Sequence, residues 1–101
     1  MAYKLRFVQS FDKRNAEDFL RLEQTFIDLE KRDTNMICGK RYVSLIGKEP
    51  TNTMIWEAEF ETIEDAINNL KAIEVSNEHE KLLSKQVQFM RDAYVELYKE
   101  L

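Results

Sequence analysis

The sequence predicts an α+β fold in which the elements follow the order strand, helix, strand, strand, helix. Residues 53–61 alternate apolar and polar side chains, as a strand with one buried face does, and residue 62 then opens a helical pattern. Between residues 16 and 32 apolar side chains instead recur every three or four positions. Residues 47–52 hold the only proline and one of two glycines, which indicates a turn between two strands. One more strand would complete a split βαβ sandwich.

The first strand is predicted at residues 3–11, where apolar and polar residues alternate. Asp12 and Asn15 are both candidate caps for the helix that follows, predicted from about residue 14 to about residue 32. Its apolar stripe consists of Phe19, Leu22, Phe26 and Leu29, widened by Leu20 and Ile27. The charged residues Glu23, Asp28, Glu30 and Lys31 are expected on its solvated face.

The second and third strands are predicted at residues 36–46 and 53–61, and the turn between them makes them a hairpin. Thr62, with Asp65 three residues later, resembles the capping box at the start of a helix. Ser76 could cap a further helical segment beginning at Asn77.

The last quarter of the chain supports two interpretations. Leu83, Val87, Met90, Tyr94, Leu97 and Leu101 are spaced as on one face of a helix. Residues 92–98 also alternate as in a strand, and the order of the earlier elements favours a strand. Taken alone, the residues leave both possibilities open.

Length and composition limit the class of protein. A chain of 101 residues is expected to form a single domain, residues 1–101. Its net charge is −4 and its 15 Lys and Arg residues are dispersed, which argues against a nucleic-acid partner. We expect a cytoplasmic protein without a membrane span, because there is one cysteine, no signal-peptide pattern and no long apolar run.

Several chemistries lack the residues that they need. Two glycines cannot form a dinucleotide fingerprint or a Walker loop. One histidine and one cysteine cannot form a structural zinc site, and no acidic loop matches an EF-hand. The sequence therefore predicts neither a metal nor a cofactor.

Three segments carry a resemblance to a known family. The hairpin strand at residues 40–47, the strand at residues 53–60 and Thr62 together resemble the NIPSNAP-like branch of the dimeric α+β barrel proteins, which include antibiotic-biosynthesis-monooxygenase-like domains. The similar features are a glycine turn, a strand ending in Trp-Glu-x-Glu-Phe and a hydroxyl residue opening a helix. They correspond here to Gly47, Trp56, Glu57, Glu59, Phe60 and Thr62. Residues 92–101 are similar to the last strand of that branch, which favours a final strand here.

The resemblance implies a ferredoxin-like βαββαβ sandwich with an antiparallel sheet and helices on one face. The other face would pair with a second copy, giving a homodimer with a cavity between the two sheets. A small ligand bound there is the first functional hypothesis. A cofactor-free monooxygenase or isomerase acting on a small aromatic or quinol-like substrate is the second, and a structural interaction module is the third. Haem degradation in this superfamily usually employs an asparagine in the first strand, and residues 3–11 contain none.

The candidate ligand-binding residues are Arg6, Arg41, Glu57 and Trp56. Strand parity puts Arg6 and Glu57 on the face away from the helices, whereas for the second strand either Arg41 or Tyr42 could lie inside. Trp56 is better explained as a core residue than as a platform for stacking. The charged candidates are also explained as ion pairs between two subunits.

His79 and Tyr42 are the catalytic candidates. His79 is the only histidine, and its ionisation near neutral pH suits acid–base chemistry, although its position in a predicted first turn also suits a solvated surface residue. Cys38 is expected to be a small buried apolar residue on the second strand.

Overall fold

The structure is a computed structural model that describes residues 2–101. Its four strands form one sheet in the order β2-β3-β1-β4, and all neighbouring strands are antiparallel. The strands are β1 (Tyr3–Phe11), β2 (Lys40–Val43), β3 (Thr53–Phe60) and β4 (Met90–Lys99), and the helices are α1 (Ala16–Arg32), α2 (Ile63–Val75) and α3 (Asn77–Gln86). The predicted α+β, ferredoxin-like arrangement is confirmed.

Side-chain caps start the helices where the sequence indicated. Asp12 accepts a hydrogen bond from the backbone N–H of Arg14 and opens a short 3₁₀ turn that leads into α1. Thr62 accepts from the N–H of Asp65, and Ser76 accepts from the N–H of His79. Ser76 therefore divides the second helical region into α2 and α3, as predicted.

The core lies between the helices and one face of the sheet. Leu5 and Phe11 from β1, and Met54, Trp56 and Ala58 from β3, pack there with Phe19 of α1. In strands, alternate residues point to opposite faces. We call the opposite surface the outer face; it carries Lys4, Arg6, Val8, Tyr42, Ile55, Glu57, Tyr94, Glu96 and Tyr98.

The prediction for the second strand was wrong in extent. β2 covers only residues 40–43, because the preceding backbone bonds to side chains of the helices instead of to β3. The N–H of Ile37 donates to Asn69 of α2, and the N–H of Gly39 donates to Glu30 of α1. Cys38 lies before β2 and is exposed, so its predicted burial is also wrong.

The end of the chain is a strand and not a helix. β4 pairs with β1 along nearly its whole length, from the Tyr3–Lys99 pair to the Phe11–Met90 pair, with a register shift at Ser10. Without β4, the backbone groups on one edge of β1 would have no strand partner. No helix within residues 2–101 has both the length and the apolar character that crossing a bilayer requires.

Candidate ligand-binding site

A buried cluster of charged residues lies between α1 and the sheet. Arg41 of β2 donates from Nε to Glu23 at 2.8 Å and from Nη1 to Glu30 at 2.9 Å, and its Nη2 also bonds Glu30. The side chains of Arg41, Glu23 and Glu30 are 12%, 9% and 10% exposed. Such burial is tolerated only where charges are paired and hydrogen-bonded, as they are here. We call Arg41, Glu23 and Glu30 the charged cluster.

Glu30 has two further donors from β3 and from the segment before β2. The indole Nε1 of Trp56 and the backbone N–H of Gly39 each donate to its Oε1 at 3.0 Å. Gly39 is required for this arrangement, since a Cβ at that position would lie 2.1 Å from Cε2 of Trp56. Glu30 therefore links α1 to β3 and to the segment before β2.

Gln86 of α3 reaches the same cluster and is fully buried. Its Nε2 donates to Glu23 Oε1 at 2.9 Å and to the carbonyl oxygen of Phe19 at 3.3 Å. Both partners are acceptors, which determines the orientation of the amide. Its Oε1 has no hydrogen-bond partner among residues 2–101, although buried polar atoms normally have one.

A cavity lies beside these side chains, on the helix side of the sheet. The space open to the centres of water-sized spheres is about 40 Å³. The cavity is therefore small, with room for a few waters or a molecule of similar size, and far below the roughly 300–1,000 Å³ of a typical ligand pocket. Its lining comprises the charged cluster with Gln86 and Gln9, the rings of Phe7, Phe26, Trp56 and His79, and the aliphatic residues Met36, Ile37, Ile73 and Leu83.

His79 of α3 is half-buried in the cavity wall instead of solvated. Its ring lies 4.9 Å from that of Phe26, centroid to centroid. Burial lowers the pKa of His79 below its usual value, and the negative charge of Glu30 opposes this shift only in part. The imidazole is therefore neutral at pH 7.

Arg41 keeps its charge. Burial on its own would lower the pKa of Arg41, but the hydrogen bonds and charges of Glu30 and Glu23 together raise it. The charged cluster consequently contains one permanent cation and two carboxylates.

The sheet separates the predicted ligand-binding residues into two groups. Arg41 and Trp56 are in contact with the cavity on the helix side. Arg6 and Glu57 lie together on the outer face, where Arg6 Nε donates to Glu57 Oε2 at 3.0 Å. Lys4 also approaches Glu57, at 3.2 Å. The charged candidates were expected to pair between two subunits. Arg6 and Glu57 instead pair within one subunit.

The two catalytic candidates are on opposite sides of the sheet. His79 lines the cavity, and Tyr42 pairs with Ile55 on the outer face, where it is 48% exposed. Of the two alternatives for β2, Tyr42 faces outward and Arg41 faces the helices.

Sequence reasoning missed Glu23, Glu30 and Gln86. The first two were assigned to the solvated face of α1, which is wrong, since Glu23 is buried and the carboxylate of Glu30 is almost so. A signal was present: Phe19, Glu23, Phe26 and Glu30 are spaced by four, three and four residues, which places them on one stripe of the helix. Gln86 had no comparable signal.

Comparison with solved structures supports the fold. No protein-family model matches the chain, and no curated protein matches it. A NIPSNAP family protein from Agrobacterium tumefaciens superposes with a TM-score of 0.79 at 11% identity, covering 100% of this chain and 94% of the other. A NIPSNAP-like domain protein from Burkholderia xenovorans gives 0.77 at 14% identity, covering 99% and 85%.

A third similar structure is that of an antibiotic biosynthesis monooxygenase, with a TM-score of 0.71 at 8% identity and 98% of each chain covered. The resemblance found in the hairpin and in the final strand is therefore confirmed for the fold. At these identities the likeness concerns architecture alone: this chain has the α+β fold of NIPSNAP-family and antibiotic-biosynthesis-monooxygenase structures.

Proposed function

We propose that the protein is a homodimeric small-ligand-binding domain with one binding cavity in each subunit, between the sheet and the helices. The observation that carries the proposal is the buried charged cluster beside a cavity that Gln86 and His79 also line. Ionisable groups with shifted pKa values at a concave site are characteristic of functional sites.

The energetics of the charged cluster support a role beyond stability. Burying an ion pair costs desolvation energy that apolar residues of similar volume would not incur. This core nevertheless places two carboxylates, one guanidinium and one amide around a cavity. A purely structural module, the third hypothesis, would need neither the cavity nor a buried amide oxygen without a hydrogen-bond partner, as Gln86 has.

The cavity on the helix side supports ligand binding better than the space between two sheets does. On the outer face, Glu57 already accepts from Arg6 and pairs with Lys4. The outer face therefore fits the pairing of subunits, and the ligand site fits the opposite side of the same sheet.

Pairing of two copies is supported by the composition of the outer face. Tyr42, Tyr94 and Tyr98 are 48%, 37% and 45% exposed there, beside the charged side chains of both signs. Tyrosine is favoured in interfaces because it combines a large apolar ring with a hydroxyl group. A two-fold axis would bring this surface of one subunit against the same surface of the other. Because the surface carries charges of both signs, positive groups of one subunit can face negative groups of the other.

The proposed location is the cytoplasm. Cys38 is a free thiol on the surface. Exposed thiols persist where the compartment is reducing.

A fragment screen by thermal shift tests the ligand proposal, because a molecule that binds only the native state raises the melting temperature. The variant Ile73→Phe fills the cavity and is expected to abolish the shift. Its control, Ile67→Phe, lies on the same helix at an exposed position and is expected to leave the shift intact. A shift that survives Ile73→Phe would place binding elsewhere, and a flat screen of small molecules would reject the proposal.

A cofactor-free monooxygenase or isomerase is the second candidate function. The observation that favours it is that the catalytic candidate His79 and the ligand-binding candidate Trp56 line the same cavity. An aromatic or quinol-like substrate is larger than about 40 Å³ allows, so the cavity would have to open beside Leu83 and His79. The test of this candidate is the rate of oxygen consumption with quinols in the wild type and in His79→Gln. Equal rates would show that His79 takes no part in the reaction.

A further inference from the structure

The cavity is separated from a wider groove by the segment that connects α1 to β2. We call residues 34–38 of this segment the strap. Its Met36 and Ile37 line the cavity on one side and, on the other, a groove between the strap and α2. Met36 is 6% exposed, and the groove measures about 830 Å³ against about 40 Å³ for the cavity. These two residues therefore form the wall between the cavity and the groove.

Few bonds hold the strap in place. It precedes β2 and has no partner strand. The N–H groups of Asn35 and Met36 donate to Asp33, within the same turn. In the described part of the chain, one hydrogen bond joins the strap to another element: the N–H of Ile37 donates to Asn69 Oδ1 of α2 at 2.9 Å. A segment held by so few bonds opens at a lower free energy than the core does.

The residues that flank the strap are fixed at both ends. Before it, the N–H of Asp33 donates to the carbonyl oxygen of Leu29 in the last turn of α1. After it, the N–H of Gly39 donates to Glu30, and the carbonyl oxygen of Gly39 accepts from Arg41. Displacement of the strap would therefore leave the charged cluster and β2 in position.

The opposite wall of the cavity is held more firmly. Leu83 and His79 lie there on α3, which packs against α1. Gln86 of the same helix donates to Glu23 and to the carbonyl oxygen of Phe19. An opening on that side, which the second candidate function requires, would have to move a whole helix. The strap needs to break only one hydrogen bond to another element.

Building on the proposed ligand-binding function, we propose that the strap is the gate of the cavity and that the hydrogen bond from Ile37 to Asn69 holds it closed. When this bond breaks, Met36 leaves the wall, and the cavity and the groove become one pocket. Pockets for organic ligands usually measure roughly 300–1,000 Å³, a size that the cavity alone does not reach. The ligand therefore enters from the side of α2.

Trp56 reports on the gate, because it is the only tryptophan, is 4% exposed and lines the cavity. Acrylamide is a small neutral molecule that quenches tryptophan phosphorescence on contact, so the quenching rate measures access to the cavity. Asn69→Ala removes the acceptor of Ile37, and Asn68→Ala, at the exposed neighbouring position of α2, is the control. We expect quenching about fivefold faster in Asn69→Ala alone, since one neutral hydrogen bond is worth about that factor.

A second measurement needs no variant. Deuterium exchange of the Trp56 indole N–H, followed by NMR, requires solvent to enter the cavity. The backbone N–H groups at the centre of β1 exchange only when the protein unfolds, because strands flank β1 on both sides. In the wild type we expect the indole to be at least about tenfold less protected than those amides. The ratio of the two protection factors also corrects for any general loss of stability in Asn69→Ala.

The possible outcomes separate the two proposals. Equal protection of the indole and the β1 amides would show that the cavity opens only on unfolding, and would overturn the gate. Equal quenching in Asn69→Ala and Asn68→Ala would show that molecules enter elsewhere, and would overturn the assignment of the strap. The fragment screen tests the ligand-binding function separately. If the gate behaves as expected and the screen is flat, that function is rejected and the motion of the strap stands.

Discussion

At the scale of single residues, the informative feature is Arg41 in the core. Its guanidinium pairs with two carboxylates of α1 that would otherwise be buried without a counter-charge. Removing one partner from a buried pair is more damaging than never having had the pair, because the remaining charge stays desolvated. Arg41 is thus the residue on which the charged cluster depends.

We expect Arg41→Met to lower the free energy of unfolding by about 3–5 kcal/mol, since Glu23 and Glu30 lose their cation. Urea denaturation measures the change. Arg21→Met is the matched control: Arg21 pairs with Glu17 and Asp18 on the exposed side of α1, and a pair of that kind contributes about 1 kcal/mol or less. Equal losses in the two variants would show that the charged cluster is not desolvated.

His79 provides a pH-dependent prediction. Burial lowers its pKa in the folded protein below the ordinary value of 6.5, so the unfolded chain binds the proton more readily. The stability associated with the neutral ring is complete above about pH 6.5 and declines as the pH falls through the folded pKa. We expect an NMR titration of the imidazole to give a pKa below 6.5.

The control for that titration is the unfolded protein in urea, in which His79 is expected to titrate at its ordinary value. A folded pKa equal to or above the unfolded one would mean that the ring is hydrated, or that Glu30 outweighs burial. His79→Gln is expected to reduce the loss of stability between pH 7.5 and pH 5.5, conditions that bracket an ordinary histidine pKa of about 6.5.

At the scale of secondary-structure elements, the junction before β2 holds the site together. The backbone of Gly39 lies against the indole of Trp56, and both donate to Glu30 of α1. Phe7 of β1 also stacks on the indole, with its ring centroid 4.7 Å from that of Trp56. A side chain at position 39 would therefore displace the indole or the strand.

We expect Gly39→Ala to destabilise the protein by about 1–3 kcal/mol, the usual cost of overpacking, and to change the fluorescence of Trp56. Gly47→Ala is the matched control, because a Cβ there would meet no atom within 4 Å and neither glycine has a positive φ. Urea denaturation followed by fluorescence reports both effects. A neutral Gly39→Ala would contradict the close packing of Trp56.

At the scale of the whole molecule, helices cover one side of the sheet and leave the other exposed. Within the subunit, Arg6 lies over the ring of Tyr98 at 5.3 Å and pairs with Glu57. Tyr94 bonds Glu49 of the loop between β2 and β3, and this hydrogen bond raises the pKa of Tyr94 to about 12. These tyrosines remain neutral at pH 7 and suit an interface between two copies.

We expect the melting temperature to rise with protein concentration, because association stabilises only the folded state. Sedimentation should report a dimer at micromolar concentration. Tyr98→Glu places a charge within the proposed interface, on the edge strand β4, and should abolish both effects. Leu20→Glu, at a similarly exposed apolar residue of α1, should preserve them. A 12.1 kDa particle at all concentrations would reject the dimer.

The sequence by itself determined the order of the first five elements (strand, helix, strand, strand, helix), the caps at Asp12, Thr62 and Ser76, and the buried side of β1 and β3. These features depend on residues within a few positions of one another, so their periodicity and spacing contain the necessary information. The short motif around Trp56 also indicated the fold shared with the solved structures.

Only the tertiary structure decided the rest. β4 is a strand because β1 offers an unpaired edge, although its own periodicity fits a helix equally well. Glu23 and Glu30 are buried because β2 places Arg41 beside them. Arg41 lies 18 residues from Glu23 and 11 residues from Glu30 in the sequence. Gln86 joins them from 63 residues beyond Glu23. Desolvation of a charge depends on which partners the fold brings to it, and that information is absent from any local pattern.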